Sequence, residues 1–362
     1  MKVTVSRDNL LLGLRRVGPF IGSRTTLPIL NNVLVVAEGE TLTLSTTDLE
    51  VSIRTSVPAF VQEAGSTTLP AKRLTSIVGA LPEGDVALEL GESNQTQLRC
   101  GRSSFKIVGL DPKDFPEDKE FAEEWAFSLP ASDLKKCLAK VAYSRSSDES
   151  RHVLNGVLMS VREGMLSIAA TDGRRLALIE RSLEEQTAPE GDVILPSKIV
   201  SELSKLLVGD DKVGVKLSDS RAVFECPDTV IASKLVEGSY PNYRQVIPES
   251  FAHSAAIPRV TFEHVLGRIA LVVSDSSASV KLVIEAGVMK VSASSEVGEA
   301  EEPMDVSYEG DRFELSFNPD FFRDPLRELD CDQLIMQFND GYSPVALAGD
   351  EGFIYVVMPM RG

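Results

Sequence analysis

The sequence predicts an α+β protein built from three tandem copies of one module, each with two helices and about eight strands. Three observations predict it. Residues 29–53 (ILNNVLVVAEGETLTLSTTDLEVSI) lie over residues 153–177 (VLNGVLMSVREGMLSIAATDGRRLA) at a constant offset of 124, and residues 279–295 lie over 156–172 at an offset of 123. The module openings agree as well: VTVSRDNLLLGLRRV from Val3, FSLPASDLKKCLAKV from Phe127 and IPRVTFEHVLGRIAL from Ile257. Thr68 begins TLPAKRLTSIVGAL, which matches ILPSKIVSELSKLL from Ile194 and, more weakly, SFNPDFFRDPLREL from Ser316. No solenoid or blade repeat has so long a period. The boundaries fall near residues 124 and 252, giving modules 1–124, 125–251 and 252–362, each large enough for its own core.

Within a module the order strand, helix, three strands occurs twice. In the first, residues 3–5 read as a strand and 8–20 as a helix. Residues 32–37, 41–45 and 51–57 then alternate apolar and polar side chains with strand period. A strand at 66–69, a helix at 72–81 and strands at 86–90, 96–100 and 104–110 complete the set. Glu38-Gly39-Glu40, Arg162-Glu163-Gly164 and Ala286-Gly287 stand at matching places as hairpin turns.

The chain has 362 residues, 43% of them hydrophobic, which is a globular composition. No apolar run is long enough to span a membrane, so no membrane association is expected. Cys100, Cys137, Cys226 and Cys331 are scattered without a CxxC pair, which argues against zinc and disulfides and for a cytoplasmic location. The net charge of −17 alone argues against a general nucleic-acid binder. Its distribution reverses that reading: the six helix-bearing segments together carry +9, leaving −26 for the remainder. Basic helices would face a polyanion while the acidic remainder repels it; alternatively, helix C-termini simply favour Lys and Arg.

No phosphate loop, GxGxxG opening or GxSxG elbow is present, and His152, His253 and His264 share no metal-ligand spacing. The expectation is a protein with no catalytic residues, no metal and no cofactor. Thr171-Asp172 could pass for a catalytic element, but Thr47-Asp48 repeats it in the first module, which favours a turn. Two other classes stay open: a DNA-binding regulator using the same basic helices, and a hydrolase, which burial of Asp172 in a polar cleft would favour. Glu296, Glu299, Glu301 and Glu302 form an acidic run, and Arg99, Arg102, Phe105 and Lys106 a basic one, both on strand-like segments. These edges could pair between two chains, or could be two solvated edges protected by charge.

LPILNNVL from Leu27, LNG from Leu154, ATDGRRLA from Ala170, SKLVEGSYPNYRQVIP from Ser233 and the terminal YVVMPMRG occur in order along the whole chain. Together they resemble the bacterial DNA polymerase III β subunit family, the sliding clamps. The resemblance implies a head-to-tail homodimer closed into a ring, with helices lining the inside, that encircles duplex DNA without sequence specificity and is loaded by an ATP-driven clamp loader. It implies no chemistry of its own. Its partners would be the DNA polymerase III catalytic subunit, the clamp loader, and other polymerases and repair proteins, bound through short linear motifs.

Carried onto this sequence, the resemblance implies DNA contact at Arg24 and Lys198, with Lys72, Arg73 and Arg145 added from charge and position. It implies a chain–chain joint of Arg99, Arg102, Phe105 and Lys106 against Leu271, Val272, Glu296, Glu299, Glu301 and Glu302. It implies a motif-binding pocket of Leu154, Thr171, Gly173, Arg174, Arg175, Leu176, Pro241, Val246, Tyr342, Pro344, Val356, Met358, Pro359, Met360 and Arg361. Methionines suit a surface that must adapt to several partners. Gln245 stands where some relatives carry arginine, and the chain ends at Gly362 where leucine is common, two departures that bear on motif preference.

Overall fold

The computed structural model describes residues 1–22, 26–116, 125–184, 190–274 and 279–360. Seven α-helices occur among them: α1 (Arg7–Val17), α2 (Ala71–Ala80), α3 (Ala131–Ala142), α4 (His152–Asn155), α5 (Ser197–Leu206), α6 (Arg259–Ile269) and α7 (Asp320–Glu328). All six expected helical segments are helical; the single-turn α4 was not anticipated.

Helix α1 shows why these segments coil. The Ser6 hydroxyl accepts from Asn9 N at 3.2 Å, Asp8 lies in the first turn, and Arg15 and Arg16 lie in the last, each matched to the helix dipole. Leu10, Leu11, Leu14 and Val17 form its buried face. Gly13 lies so close to the sheet that a Cβ there would stand 2.7 Å from Leu44 Cδ1. The helix stops at Val17, short of the expected Phe20, and a 3-10 turn covers Gly18–Phe20, because Pro19 has no N–H to continue the ladder.

The chain forms two compact units, Met1–Ala131 with Ser201–Leu235, and Ser132–Val200 with Val236–Gly362. In each unit one eight-stranded antiparallel sheet joins strands of two successive repeats. In the first unit the order is Trp125–Pro130, Lys212–Leu217, Arg221–Glu225, Thr229–Lys234, Val51–Pro58, Thr41–Thr47, Asn32–Glu38, Gly65–Pro70. The second unit repeats it as His253–Pro258, Gln333–Phe338, Val345–Ala348, Phe353–Val357, Arg175–Ser182, Met165–Thr171, Val157–Arg162, Gly191–Leu195. The junction strands pair with Ile231 opposite Ile53 in one sheet and Val356 opposite Leu176 in the other.

Two smaller sheets hold the strands left over. The first unit has a five-stranded sheet, Phe60–Glu63, Lys2–Ser6, Asp85–Leu90, Gln95–Cys100, Ser103–Val108; the second has a four-stranded sheet, Gly298–Asp305, Val288–Ser295, Val280–Glu285, Phe313–Phe317. All eight strands expected in the first module are present. Phe60–Glu63 was missed, being a four-residue edge strand just after Pro58, too short to show a strand period.

Candidate partner-docking groove

The groove is built on a turn that the sequence repeats. Thr171 Oγ1 donates to Arg175 O (2.6 Å) and accepts from Gly173 N, while Asp172 Oδ1 accepts from Arg174 N and Arg175 N. Thr47 and Asp48 do the same one module earlier: Thr47 Oγ1 donates to Val51 O and accepts from Leu49 N, and Asp48 Oδ1 accepts from Glu50 N and Val51 N. Asp172 does line a polar cleft and is largely buried, but its second oxygen accepts from Arg175 Nε at 3.1 Å. Its carboxylate is committed to holding a turn, which removes the main support for a hydrolase. The third turn residue is left-handed in both copies, Gly173 at φ +89° and Leu49 at +76°. At Gly173 a Cβ would also stand 3.1 Å from Arg151 Nη2, so the guanidinium would have to give by a few tenths of an ångström.

Arg175, at the end of that turn, has its guanidinium fully engaged. Nη1 binds Asp324 Oδ2 on α7 at 2.7 Å, Nη2 donates to Tyr143 O at 2.7 Å, and the plane lies 4.6 Å from the centre of the Phe321 ring. It fixes the groove wall rather than offering a free cation. Burial raises its neighbour Tyr143 well above the ordinary tyrosine range.

Beside the turn, Leu158, Ala169, Leu176, Leu178, Ile194, Ala346 and Val356 form one apolar cluster with Tyr243. Val236, Tyr240, Ile247 and Phe251, from the segment that crosses the sheet, pack against it. Tyr240 is pinned because its hydroxyl accepts from Thr171 N at 3.0 Å, and burial pushes its phenol up to about 12. The C-terminal segment is tied at two points, Met358 N to Arg174 O (3.0 Å) and Met360 N to Ser316 O (2.7 Å). Met358, Met360, Val246 and Tyr342 remain exposed, Tyr342 at 76%. An adjoining cleft of about 540 Å³ is lined by Arg145, Arg151, Asp172, Arg174, Asn318 and Phe321 among others.

The structure therefore joins Thr171, Gly173, Arg174 and Arg175 on one turn, with Leu176 and Val356 buried in the apolar cluster beside it and Met358 tied to the turn. Leu154 is buried on α4, Pro241 is exposed on the crossing segment, and Pro344 and Pro359 are half-buried. Arg361 lies outside the described residues. The apolar cluster also takes in Leu158, Ile194, Tyr243 and Ala346, with Tyr240 packed on it, and of these only the tyrosines fall in a motif that the sequence reading singled out, Ser233–Pro248.

Four of the five basic residues fall within the described residues. Lys72 and Arg73 are neighbours on the exposed side of α2, and Lys198 lies in the first turn of α5. Arg145 instead lines the cleft beside the groove, and Arg24 lies outside the described residues. The two charged edges are terminal strands of their sheets. Ser103–Val108 carries Phe105 (38% exposed) and Lys106, with Arg102 in the turn before it and Arg99 on the preceding strand. Gly298–Asp305 carries Glu299, Glu301 and Glu302, with Glu296 in the turn before it; Leu271 is 79% exposed and Val272 half-buried. Among the described residues no group of His, Cys, Asp and Glu could hold a metal ion, and no helix is long and apolar enough to cross a membrane.

Repeated strand–helix modules, an apolar cluster beside a polar cleft and two charged terminal strands are the features of a non-catalytic docking protein. Models of the DNA polymerase III beta subunit match along the chain: the N-terminal domain over residues 1–119, the central domain over 128–242 and the C-terminal domain over 244–361. The chain is 35% identical to the beta sliding clamp of Escherichia coli, with all of both chains covered, and 31% identical to that of Chlamydia pneumoniae, covering 100% and 99%. Among solved structures, the Pseudomonas aeruginosa sliding clamp bound to griselimycin superposes with a TM-score of 0.96 at 32% identity, with both chains fully covered. The Bacillus subtilis clamp gives 0.95 at 26% identity, covering 100% and 99%. The chain belongs to the DNA polymerase III beta subunit family, the bacterial sliding clamps.

Proposed function

We propose that two copies of this chain close head to tail into a ring around duplex DNA and tether the replicative polymerase and other replication and repair proteins, without any chemistry of their own, in the cytoplasm. The carrying observation is the repeated junction. Thr229–Lys234 pairs with Val51–Pro58, and Phe353–Val357 with Arg175–Ser182, yet the third equivalent pair, Ser103–Val108 and Gly298–Asp305, stays open at two sheet edges. Repetition of the register sets Phe105 opposite Ala300 of the partner subunit and Lys106 opposite Glu299 of the partner subunit. Such a heterologous contact closes after two copies when three modules each turn the chain by one sixth of a circle.

The three modules divide at residues 1–124, 125–251 and 252–362 in this reading. Arg24, Lys72, Arg73, Arg145 and Lys198 supply weak, screened attraction to phosphate, which retains DNA while permitting sliding. An ATP-driven loader opens and closes the ring. The groove takes an apolar linear motif on the Leu176–Val356 floor, with Met358 and Met360 adapting to it. The test is a mass near twice 39.3 kDa together with loading on nicked circular DNA. Loaded protein must leave once the circle is linearised; retention on linear DNA, or base preference, would contradict the reading.

A further inference from the structure

The same helix position carries a cation in all three modules. Arg16, Lys140 and Arg268 stand equally far beyond the strand ends at Ser6, Pro130 and Pro258. In the two internal junctions that cation reaches a hairpin supplied by the next module. Arg16 binds Asp228 at 2.5 Å and also donates to Thr55, and Lys140 binds Asp350. Arg268 is turned onto its own module instead: Nε and Nη2 grip Glu302 at 2.9 and 2.5 Å. Glu302 occupies the strand position of Thr55, since Thr55 faces Leu44 and Glu302 faces the corresponding Val291.

The hairpin equivalent to the one bearing Asp228 is Cys100–Ser103, with Arg102 in the place of Asp228. We infer that Arg268 is a release residue at the chain–chain joint: it competes with Arg102 of the partner subunit for Glu302, and so makes this junction weaker than the two within the chain. The inference rests on the head-to-tail dimer proposed above. Two guanidinium groups converge on one carboxylate, which can serve only one of them in two-point fashion, and the like charges repel. When the joint opens, Arg268 keeps Glu302 paired, so the acidic edge is not left with a bare charge.

The test is subunit exchange of the full-length protein, followed by energy transfer between differently labelled dimers. Arg268→Leu is expected to slow exchange about two- to fivefold, the scale of an exposed ion pair. In an Arg102→Leu background the same substitution is expected to change nothing, because the competitor is gone. Unchanged or faster exchange in Arg268→Leu, or an equal gain in both backgrounds, overturns the inference. A wild-type protein that stays monomeric at every concentration instead overturns the dimer on which it rests. The side chain of Arg268 is 55% exposed, so folding should tolerate the change; Arg268→Gln, with thermal melts of both variants, separates misfolding from altered exchange.

Discussion

Lys140 Nζ meets the Asp350 carboxylate in an almost closed site, the two side chains being 5% and 11% exposed, so that helix α3 of one repeat is fastened to a hairpin of the next. Burial alone would raise the Asp350 pKa, but Lys140 and the Asp330 N–H hold it below the ordinary range. A depressed carboxyl contributes stability that is present above its unfolded pKa and lost as pH falls through the folded value. The second unit should therefore lose stability in acid below about pH 4. Lys140→Met should flatten that acid limb in urea melts and cost about 3–5 kcal/mol at neutral pH, because Asp350 is left buried with backbone N–H partners but no counter-charge.

The two left-handed turn residues predict opposite responses. Leu49→Gly should stabilise the first unit by up to about 1 kcal/mol by removing the steric penalty at φ +76°. Gly173→Ala adds that penalty and presses on Arg151, so it should weaken binding of a fluorescent linear-motif peptide at least about tenfold while leaving the dimer intact. Thermal melts and fluorescence anisotropy check the pair.

Tyr240→Phe removes the acceptor for Thr171 N and leaves a half-buried N–H unpaired. Motif affinity should fall by about 1–3 kcal/mol, with little change in sedimentation. An unaltered binding isotherm would mean that the tyrosine does not brace the groove.

Deletion of residues 358–362 should abolish motif binding and spare dimerisation, since the backbone ties of the segment run to Arg174 and to Ser316, whose strand lies at the opposite edge of its sheet from Gly298–Asp305. Equilibrium sedimentation alongside peptide titration reads both properties.

At the other end of the chain, Phe105→Ala should weaken the dimer by about 3 kcal/mol if its ring becomes buried against Leu271 and Val272 of the partner subunit. Reversal of Arg102 to Glu should weaken it as well. Unchanged sedimentation of both variants would argue against the joint.

The helices and most strands were legible because apolar spacing and the repeat offset both act locally along the chain. Val3, Leu10, Leu14, Val33, Val35, Leu42 and Leu44, all on expected elements, are all buried. Division into two compact units was not legible, because the sheets that create it pair Ile53 with Ile231 and Leu176 with Val356, and nothing in local pattern encodes which distant edge a strand will meet. The turn at Thr171-Asp172 was readable since its double at Thr47-Asp48 lies in the sequence. The apolar cluster of Leu158, Ile194 and Ala346 was not, because aliphatic residues beside a surface and in a core have the same spacing. Arg175 shows what residue type leaves out: its guanidinium braces the turn, with donors directed to Asp172, Asp324 and Tyr143.

Sheets that borrow strands from two repeats also set an order on synthesis. As the chain leaves the ribosome, Val51–Pro58 has no neighbour on its outer side until Thr229–Lys234 has been made, and Arg175–Ser182 must wait for Phe353–Val357. Two raw strand edges are thus carried through translation, when contact with another nascent chain is most hazardous. The acidic remainder of the sequence, with its large negative charge, keeps those growing chains apart until each edge has been claimed.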